Sequence, residues 1–395
     1  MITTQQATGN IDAAQRRVDM ADKIYLLQPE EAPFAALLRK LSRKTTINPE
    51  FSWLEDEATP WVDAINNGAG YASGATSLVV DNGGYFAAGD LIKVFRTGET
   101  FRVTAVATNT LTVTRGWGST AAALVDNDVL LVMGTAFSEG ALAATARHTV
   151  KVKKFNYTQI FKTSVKLTKT LEASGLYAVS SERAFQRQKK AREHNWSINR
   201  QLWFGARNEN LSATDAPIRS SGGITHFVTT NKTSLANDAA VTLAALDAFL
   251  ESVFFYGSGT RWCFLSPHMA TLINALGQAK LQLQHVTLGR AQENVAFGLS
   301  VTKYVSPHGI CYFVYDRALK DWITLTGSNA AGKVMFALDF DPEEGIAYRP
   351  LTGRDTKFGA DIQPPDADYT LDEYLTECGL QVGQEKRHGI FEVIA

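Results

Sequence analysis

The chain has 395 residues, 45% of them apolar and 20% charged, and its 39 basic and 40 acidic side chains leave a formal net charge of −1. That balance excludes a disordered chain, a collagen-like repeat and a uniformly polybasic nucleic-acid binder, and at about 150 residues per domain it sets an expectation of two to three domains. Three cysteines, Cys263, Cys311 and Cys378, are too few for a secreted disulfide scaffold and point to a reducing compartment.

Met1 to Gln6 is polar and lacks the basic-then-apolar pattern of a signal peptide. Residues 1–28 are mostly polar and read as an arm. Pro29-Glu30-Glu31-Ala32-Pro33 then opens a short helix: proline suits its first turn, and the glutamates oppose the positive helix end. Phe34, Leu37, Leu38 and Leu41 recur at helical spacing, and Arg39, Lys40, Arg43 and Lys44 crowd the last turn.

From 68 to 137 the chain becomes rich in Gly, Ala and β-formers. Thr76–Val80, Leu91–Phe95, Phe101–Val106, Thr110–Thr114 and Val129–Met133 read as strands, and Asp81–Gly84, Thr97–Glu99 and Ala107–Asn109 as turns. Closely spaced strands predict a small antiparallel barrel or sandwich. Its glycine-rich edges mark it as an insertion between two extended flanks, Thr46–Glu57 and Val150–Leu167.

The longest helical pattern follows, from about Leu176 to Gly205, with Arg183, Arg187, Lys190 and His194 on one side. A helix of that length spans ~40 Å, long for a compact enzyme domain. Charge is uneven here. Residues 147–207 hold fourteen basic and three acidic side chains, whereas 339–395 hold thirteen acidic and five basic ones. Opposite charge on separate segments suits contacts within the chain or between copies, or a merely solvated surface.

Residues 240–335 alternate helix and strand. Thr242 caps a helix ending before Gly257, Arg261–Leu265 is a buried strand, and Ser266-Pro267 starts a second helix through Leu276. Leu299–Val305 and Ile310–Tyr315 are strands joined by a type I turn at Ser306-Pro307-His308-Gly309. Lys333–Phe340 and Gly389–Val393 return to strand. The charge-free stretch Trp262–Ala279 contains Ser266, Pro267, His268, Asn274 and Gln278, so it is not a membrane span.

Signals for chemistry are weak. His308 and Cys311 have an H-x-x-C spacing without a second ligand pair, and read as a turn histidine followed by a buried strand cysteine. Ser266 lacks a nucleophile elbow and is explained as a helix cap. Gly257–Thr260 lacks the lysine of a phosphate loop and lies between a helix and a strand, the wrong order. Asp339, Asp341, Glu343 and Glu344 do not follow a calcium-loop pattern and read as a solvated acidic strand end. Arg183, Arg187, Lys189, Lys190 and Arg192 suit phosphate contacts or the acidic tail of a neighbouring copy, although basic helix faces are usually just solvated and nothing among them reads bases.

The order of segments is distinctive, and so are Leu26–Phe34, Phe51–Glu57, Leu111–Gly116, Asn156–Phe161 and Phe297–Val301. Together they resemble the major capsid proteins of tailed bacteriophages, in the fold shared with encapsulins and the herpesvirus capsid floor. The likeness is to the subgroup whose extended loop carries a β-rich module, and it runs along nearly the whole chain.

The resemblance implies an α+β subunit. Residues 1–45 would be an N-terminal arm, 46–67 and 138–167 an extended loop, and 68–137 a β-barrel-like insertion. Residues 168–239 and 336–395 would form a peripheral domain with a spine helix over 176–206, and 240–335 an axial α/β domain. Copies would form pentamers and hexamers of an icosahedral shell, assembled in the host cytoplasm, around non-specifically held double-stranded DNA. A portal and decoration proteins would be further partners; no cofactor, metal, membrane or catalytic residue is implied.

Phe34, Leu37, Leu38 and Leu41 are the expected arm contacts, and Phe51, Trp53 and Phe161 the expected loop contacts. Arg183, Arg187, Lys190 and Arg192 form the basic face expected to meet the lumen or a neighbouring copy. The alternatives are a cellular nanocompartment shell of the same fold, an α/β hydrolase with a β accessory module, and another virion component such as a tail or decoration protein.

Overall fold

Runs of alternating or continuous apolar residues make the strands of this chain, and its amphipathic segments make the helices that cover them. The computed structural model describes residues 32–141, 147–174, 181–210, 216–280, 284–287, 300–321 and 332–394. The expected arm up to residue 31, the expected start of the spine helix at 176–180 and Phe297–Leu299 lie outside the described residues. The chain divides into two compact units, Leu54–Lys153 and the remainder, Met1–Trp53 with Lys154–Ala395.

Helix α1 (Pro33–Leu41) begins with proline at its first turn. Ala32 has no side-chain oxygen with which to cap it. The Ala35 amide is instead taken by the Asn199 carbonyl at 3.0 Å, a cap supplied from 164 residues away. Past the helix, Arg43 and Thr46 bridge in parallel to Tyr348 and Leu351. Strand β1 (Glu50–Glu55) follows.

Residues 54–153 hold six antiparallel strands: β2 (Val62–Ala64), β3 (Ser77–Val79), β4 (Asp90–Val94), β5 (Thr100–Ala107), β6 (Thr110–Thr114) and β7 (Val129–Thr135). Their order is β2-β7-β4-β5-β6-β3. The two ends meet, because the Asn66 amide donates to the Val79 carbonyl at 3.0 Å and the Asp81 amide to the Ala64 carbonyl at 3.1 Å. The sheet is therefore a closed barrel, which leaves no free edge. Ile65, Leu78, Ile92, Val94, Phe101, Val103, Leu111 and Leu130 fill it. Gly83, between β3 and β4, must be glycine where it packs against the β5–β6 turn: a Cβ there would lie 1.9 Å from the Thr108 carbonyl oxygen.

The alternate residues of each strand form the barrel's outer wall, and its two halves differ. Outward positions on β5 and β6 are Thr100, Arg102, Thr104, Thr110, Thr112 and Thr114. Outward positions on β2, β7 and the end of β4 are Val62, Val129, Leu131, Met133, Lys93 and Phe95. Arg115 is enclosed at one end of the barrel, where its guanidinium pairs with Glu99 through two 2.6 Å hydrogen bonds and also donates to the carbonyls of Ala72, Ala75 and Ala122.

The chain re-enters the larger unit through β8 (Val152–Tyr157), the partner of β1, and β9 (Gln159–Thr168). Then come α2 (Lys169–Ala173), α3 (Glu182–Phe204), β10 (Asn208–Asn210), β11 (Ile218–Ser220), α4 (Ile224–Phe227), β12 (Lys232–Leu235), α5 (Leu243–Phe254), β13 (Thr260–Leu265) and α6 (Pro267–Lys280). The C-terminal part supplies β14 (Gln284–Thr287), β15 (Ser300–Val305), β16 (Ile310–Tyr315), β17 (Val334–Leu338), β18 (Ile346–Pro350), β19 (Lys357–Gly359), β20 (Tyr369–Val382) and β21 (Gly389–Val393).

A seven-stranded mixed sheet runs β12-β21-β17-β13-β16-β15-β14. Both faces are covered, which is why β17 is buried at every position. Phe264, Val334, Phe336 and Leu338 face the cluster of Phe34, Leu38, Ile198 and Trp203 from α1 and α3. Cys263, Met335, Ala337 and Phe391 face Leu246, Phe249, Leu250, Met269 and Ile273 from α5 and α6. The three cysteines are free and buried.

The second sheet is built on β20. β9 pairs with it through ten consecutive residues. Cys378 pairs with both Pro350 and Gln159, and Leu375 with both Lys357 and Lys162. β9 therefore lies on one side of β20, and β18 and β19 share the other.

Local signals place several of these boundaries. Thr242 accepts from the Ala245 amide at 3.2 Å and caps α5, and Ser266 accepts from the Met269 amide at 3.3 Å at the start of α6. The Gly309 amide closes the turn on the Ser306 carbonyl. Ser181 caps α3, and Gly205 ends it. The acidic run at 339–344 departs from its expected solvated state. Asp339 is fully buried and accepts from Ser258, Arg261 and the Asp341 amide. Asp341, Glu343 and Glu344 do reach the surface, and Asp341 and Glu344 pair with Arg387 there.

Candidate functional site

The long helix α3 carries the basic face, and Arg183, Arg187 and Lys190 find carboxylates within the subunit. Arg183 donates to both oxygens of Asp372, at 2.9 and 2.6 Å, and to Asp361 at 2.6 Å. Arg187 adds a 2.7 Å bond to Asp372 and lies 5.1 Å from the Phe358 ring centroid. Burial pushes the Asp372 carboxyl upward, but hydrogen bonds from the two arginines and the Asp361 amide outweigh it and hold the group well below the usual carboxylate range. Lys190 pairs with Glu193 at 2.6 Å one helical turn on, and Arg192 is half-buried beside them. The positions of α3 left in solvent are Ala184, Gln188, Asn195, Ser197 and Arg200, a polar face with one cation. Arg183 and Arg187 of the basic segment are thus matched by Asp361 and Asp372 of the acidic segment inside one chain, as Lys162 is by Glu373.

His194 locks the same helix onto its sheet. Its ring nitrogens bond the hydroxyls of Thr163 on β9 and Thr376 on β20, at 2.9 and 2.8 Å. Burial, and then the nearby Arg39 charge, lowers its affinity for protons. Further along the helix, Trp203 stacks between Phe34 at 3.9 Å and Phe336 at 4.6 Å. Its indole N–H donates to the buried Asp316 carboxylate at 3.1 Å. Asn199 donates to the same oxygen while capping α1. Burial raises the Asp316 carboxyl, against the hydrogen bonds from the Ala318 amide, Trp203 and Asn199.

The expected arm contacts fall in this interior. Phe34, Leu37 and Leu38 are buried in their own subunit, and Leu41 alone keeps an exposed surface. The expected loop contacts behave similarly. Phe51 and Phe161 are buried, and Trp53 lies 5.8 Å from the Phe227 ring. Other large apolar side chains of the same segments stand in solvent: Ile47 at 86% exposure, Leu54 at 67%, Val150 at 78% and Ile160 at 51%. The signal for them was strand parity. If Phe51 and Phe161 point in, Leu54 and Ile160, an odd number of residues away, point out.

A buried charged node joins α5 to the seven-stranded sheet. Arg261 lies 3.1 Å from Asp339 and donates to the Val253 and Tyr256 carbonyls, so it caps the end of α5 from within. The Asp339 amide donates to Nδ1 of His388 at 3.1 Å, and His388 Nε2 donates to the Gly383 carbonyl. Burial lowers the His388 pKa to about 4. The ring stays neutral in the fold but protonates near its ordinary 6.5 once unfolded. Its stabilising contribution is therefore complete above about pH 6.5 and declines as pH falls toward 4. Urea unfolding at pH 7 and pH 4.5 should show a loss of roughly 2–3 kcal/mol that His388→Gln abolishes; an equal loss in that variant would refute the assignment.

Among the described residues no cluster of His, Cys, Asp and Glu is arranged to hold a metal ion, and no helix is long and apolar enough to cross a membrane. What the geometry offers is extended segments with apolar side chains in water.

Comparison with known proteins gives three results. A family model described as SU10 major capsid protein matches residues 1–395. A major capsid protein of Pseudomonas phage PaMx41 is 32% identical over 192 residues, which cover 46% of this chain and 46% of that protein. The chain is thus matched to about half the length of that curated relative. Among solved structures, the capsid of a native GTA particle has a TM-score of 0.51 at 11% identity, covering 100% of both chains. The capsid of cyanophage A-1(L) also has a TM-score of 0.51, at 12% identity, covering 96% of this chain and 97% of the other.

Proposed function

Because this chain belongs to the SU10 major capsid protein family, we propose that it is a phage major capsid protein whose copies close into an icosahedral shell around a double-stranded DNA genome. The observation that carries this reading is the placement of exposed apolar side chains. Ile47, Leu54, Trp61, Val150, Val152 and Ile160 belong to the two flanks of the barrel, at 46–67 and 138–167. Apolar surface of that extent on extended segments is stabilised when a neighbour covers it.

The work is assembly, with no turnover of a substrate. Extended segments gain binding energy only when a neighbouring copy orders them, which restrains association of isolated subunits. Residues 46–67 and 138–167 serve as the extended loop, α3 as the spine of a peripheral domain completed by 336–395, and 240–335 as the axial domain of pentamers and hexamers. Portal and decoration proteins are further partners, and the shell forms in the host cytoplasm. Arg183 and Arg187 act chiefly on Asp372 of their own subunit, so DNA contact by this helix falls to its exposed end near Arg200.

Electron microscopy of the expressed chain tests the proposal. Closed particles tens of nanometres across are expected. A persistent monomer, at concentrations where shells of this class form, would overturn it.

A further inference from the structure

The closed barrel at 54–153 has an outer wall of two kinds, and nothing in its own stability explains the difference. Its interior is filled by Ile65, Phe101, Leu111 and their neighbours, and its edges are paired. The threonine-lined half on β5 and β6 is what water requires. The other half presents Val62, Phe95, Val129, Leu131 and Met133 around the single cation Lys93. Register makes this patch continuous, because Leu131 lies opposite both Val62 and Lys93. Phe95 joins it through its amide bond to the Val129 carbonyl. Phe95, Met133 and Val62 are 58%, 49% and 44% exposed. Contiguous apolar surface of this kind marks an interaction site.

We propose that this half of the barrel wall docks onto a second copy of the same chain, at the loop Asp361–Asp368. Charge and shape select that occupant. A surface that fits the patch needs apolar groups together with a carboxylate for Lys93. The loop between β19 and β20 carries exposed Ile362, Pro364 and Pro365 beside Asp366 and Asp368. Two consecutive prolines pre-set the backbone, so little conformational freedom is lost on docking. Asp361 is tied to Arg183, and the Ile362 amide to the Leu371 carbonyl, so the loop is anchored at its start.

The proposal rests on the capsid reading, and the test separates the two. Wild-type particles report on that reading. Particles from Phe95→Glu/Met133→Glu report on the wall. Both positions face solvent, so the variant should keep the wild-type melting curve by circular dichroism, while its particle yield falls by about tenfold or more. Co-expressed Met133→Cys and Ile362→Cys copies, treated with a short bismaleimide inside wild-type-sized shells, should give a product joining the two kinds of copy. Shells at wild-type yield from the glutamate variant would overturn the proposal. So would crosslinks that join only Met133→Cys to itself, or the absence of any chain-to-chain product, because something else would then cover the wall.

Discussion

Trp203→Ala should destabilise the larger unit by about 3–5 kcal/mol, the cost of emptying a large aromatic site in a well-packed core. Trp203 is fully buried and stacks on Phe34 from α1 and Phe336 from the seven-stranded sheet. Its removal separates three elements at once. It also takes one of three donors from the buried Asp316 carboxylate. Trp203→Phe separates the two effects: it keeps most of the stacking and loses the hydrogen bond, and should cost about 1–3 kcal/mol. Urea unfolding followed by circular dichroism at neutral pH measures both. A midpoint for Trp203→Ala within about 0.5 kcal/mol of wild type would contradict the packing argument.

The barrel has its own point of maximum sensitivity at Glu99. Burial pushes this carboxyl upward, but bonds from Arg115 and the amides of Ala122 and Gly116 outweigh it and leave the group below its ordinary range. Both side chains of the pair are nearly inaccessible, at 5% for Arg115 and 0% for Glu99. Glu99→Ala leaves a buried guanidinium without its counter-charge and should cost roughly 3–5 kcal/mol. Replacing both partners by apolar residues, as in Glu99→Leu/Arg115→Met, should recover much of that loss, because the expensive species is the lone charge and not the missing pair. Thermal unfolding of the full chain would show the barrel melting early in the single variant. If the double variant is less stable than the single one, the reasoning about the lone charge fails.

What could be read from the chain beforehand follows a physical line. The five strands expected from 76 to 133 appear within one or two residues, because alternation of β-branched and polar residues is a local property. The caps at Thr242 and Ser266 were legible for the same reason. Pairings across long separations were not. Asp372 meets Arg183 across 189 residues, and Asp339 meets Arg261 across less than half that separation but from the end of a different strand, so an acidic run that seems solvated in isolation conceals a buried ion pair. The Asn199 cap on α1 has no local signature at all.

The candidate contacts show the same division. Phe34, Leu37 and Leu38 were recognisable as one apolar stripe, but a stripe records only that something covers it. Their own α3 and sheet do so. For Phe51 and Phe161 the useful information was parity, since it is their oppositely directed neighbours that remain in water.

One consequence of the barrel's closure concerns ancestry and engineering. The first and last strands, β2 and β7, pair with each other, and β1 pairs with β8. Polypeptide therefore enters and departs this module along adjoining tracks. A short hairpin connection can replace the whole excursion, and an unrelated domain with neighbouring termini can be spliced into the same gap, leaving the hydrophobic interior of the remaining body uncut.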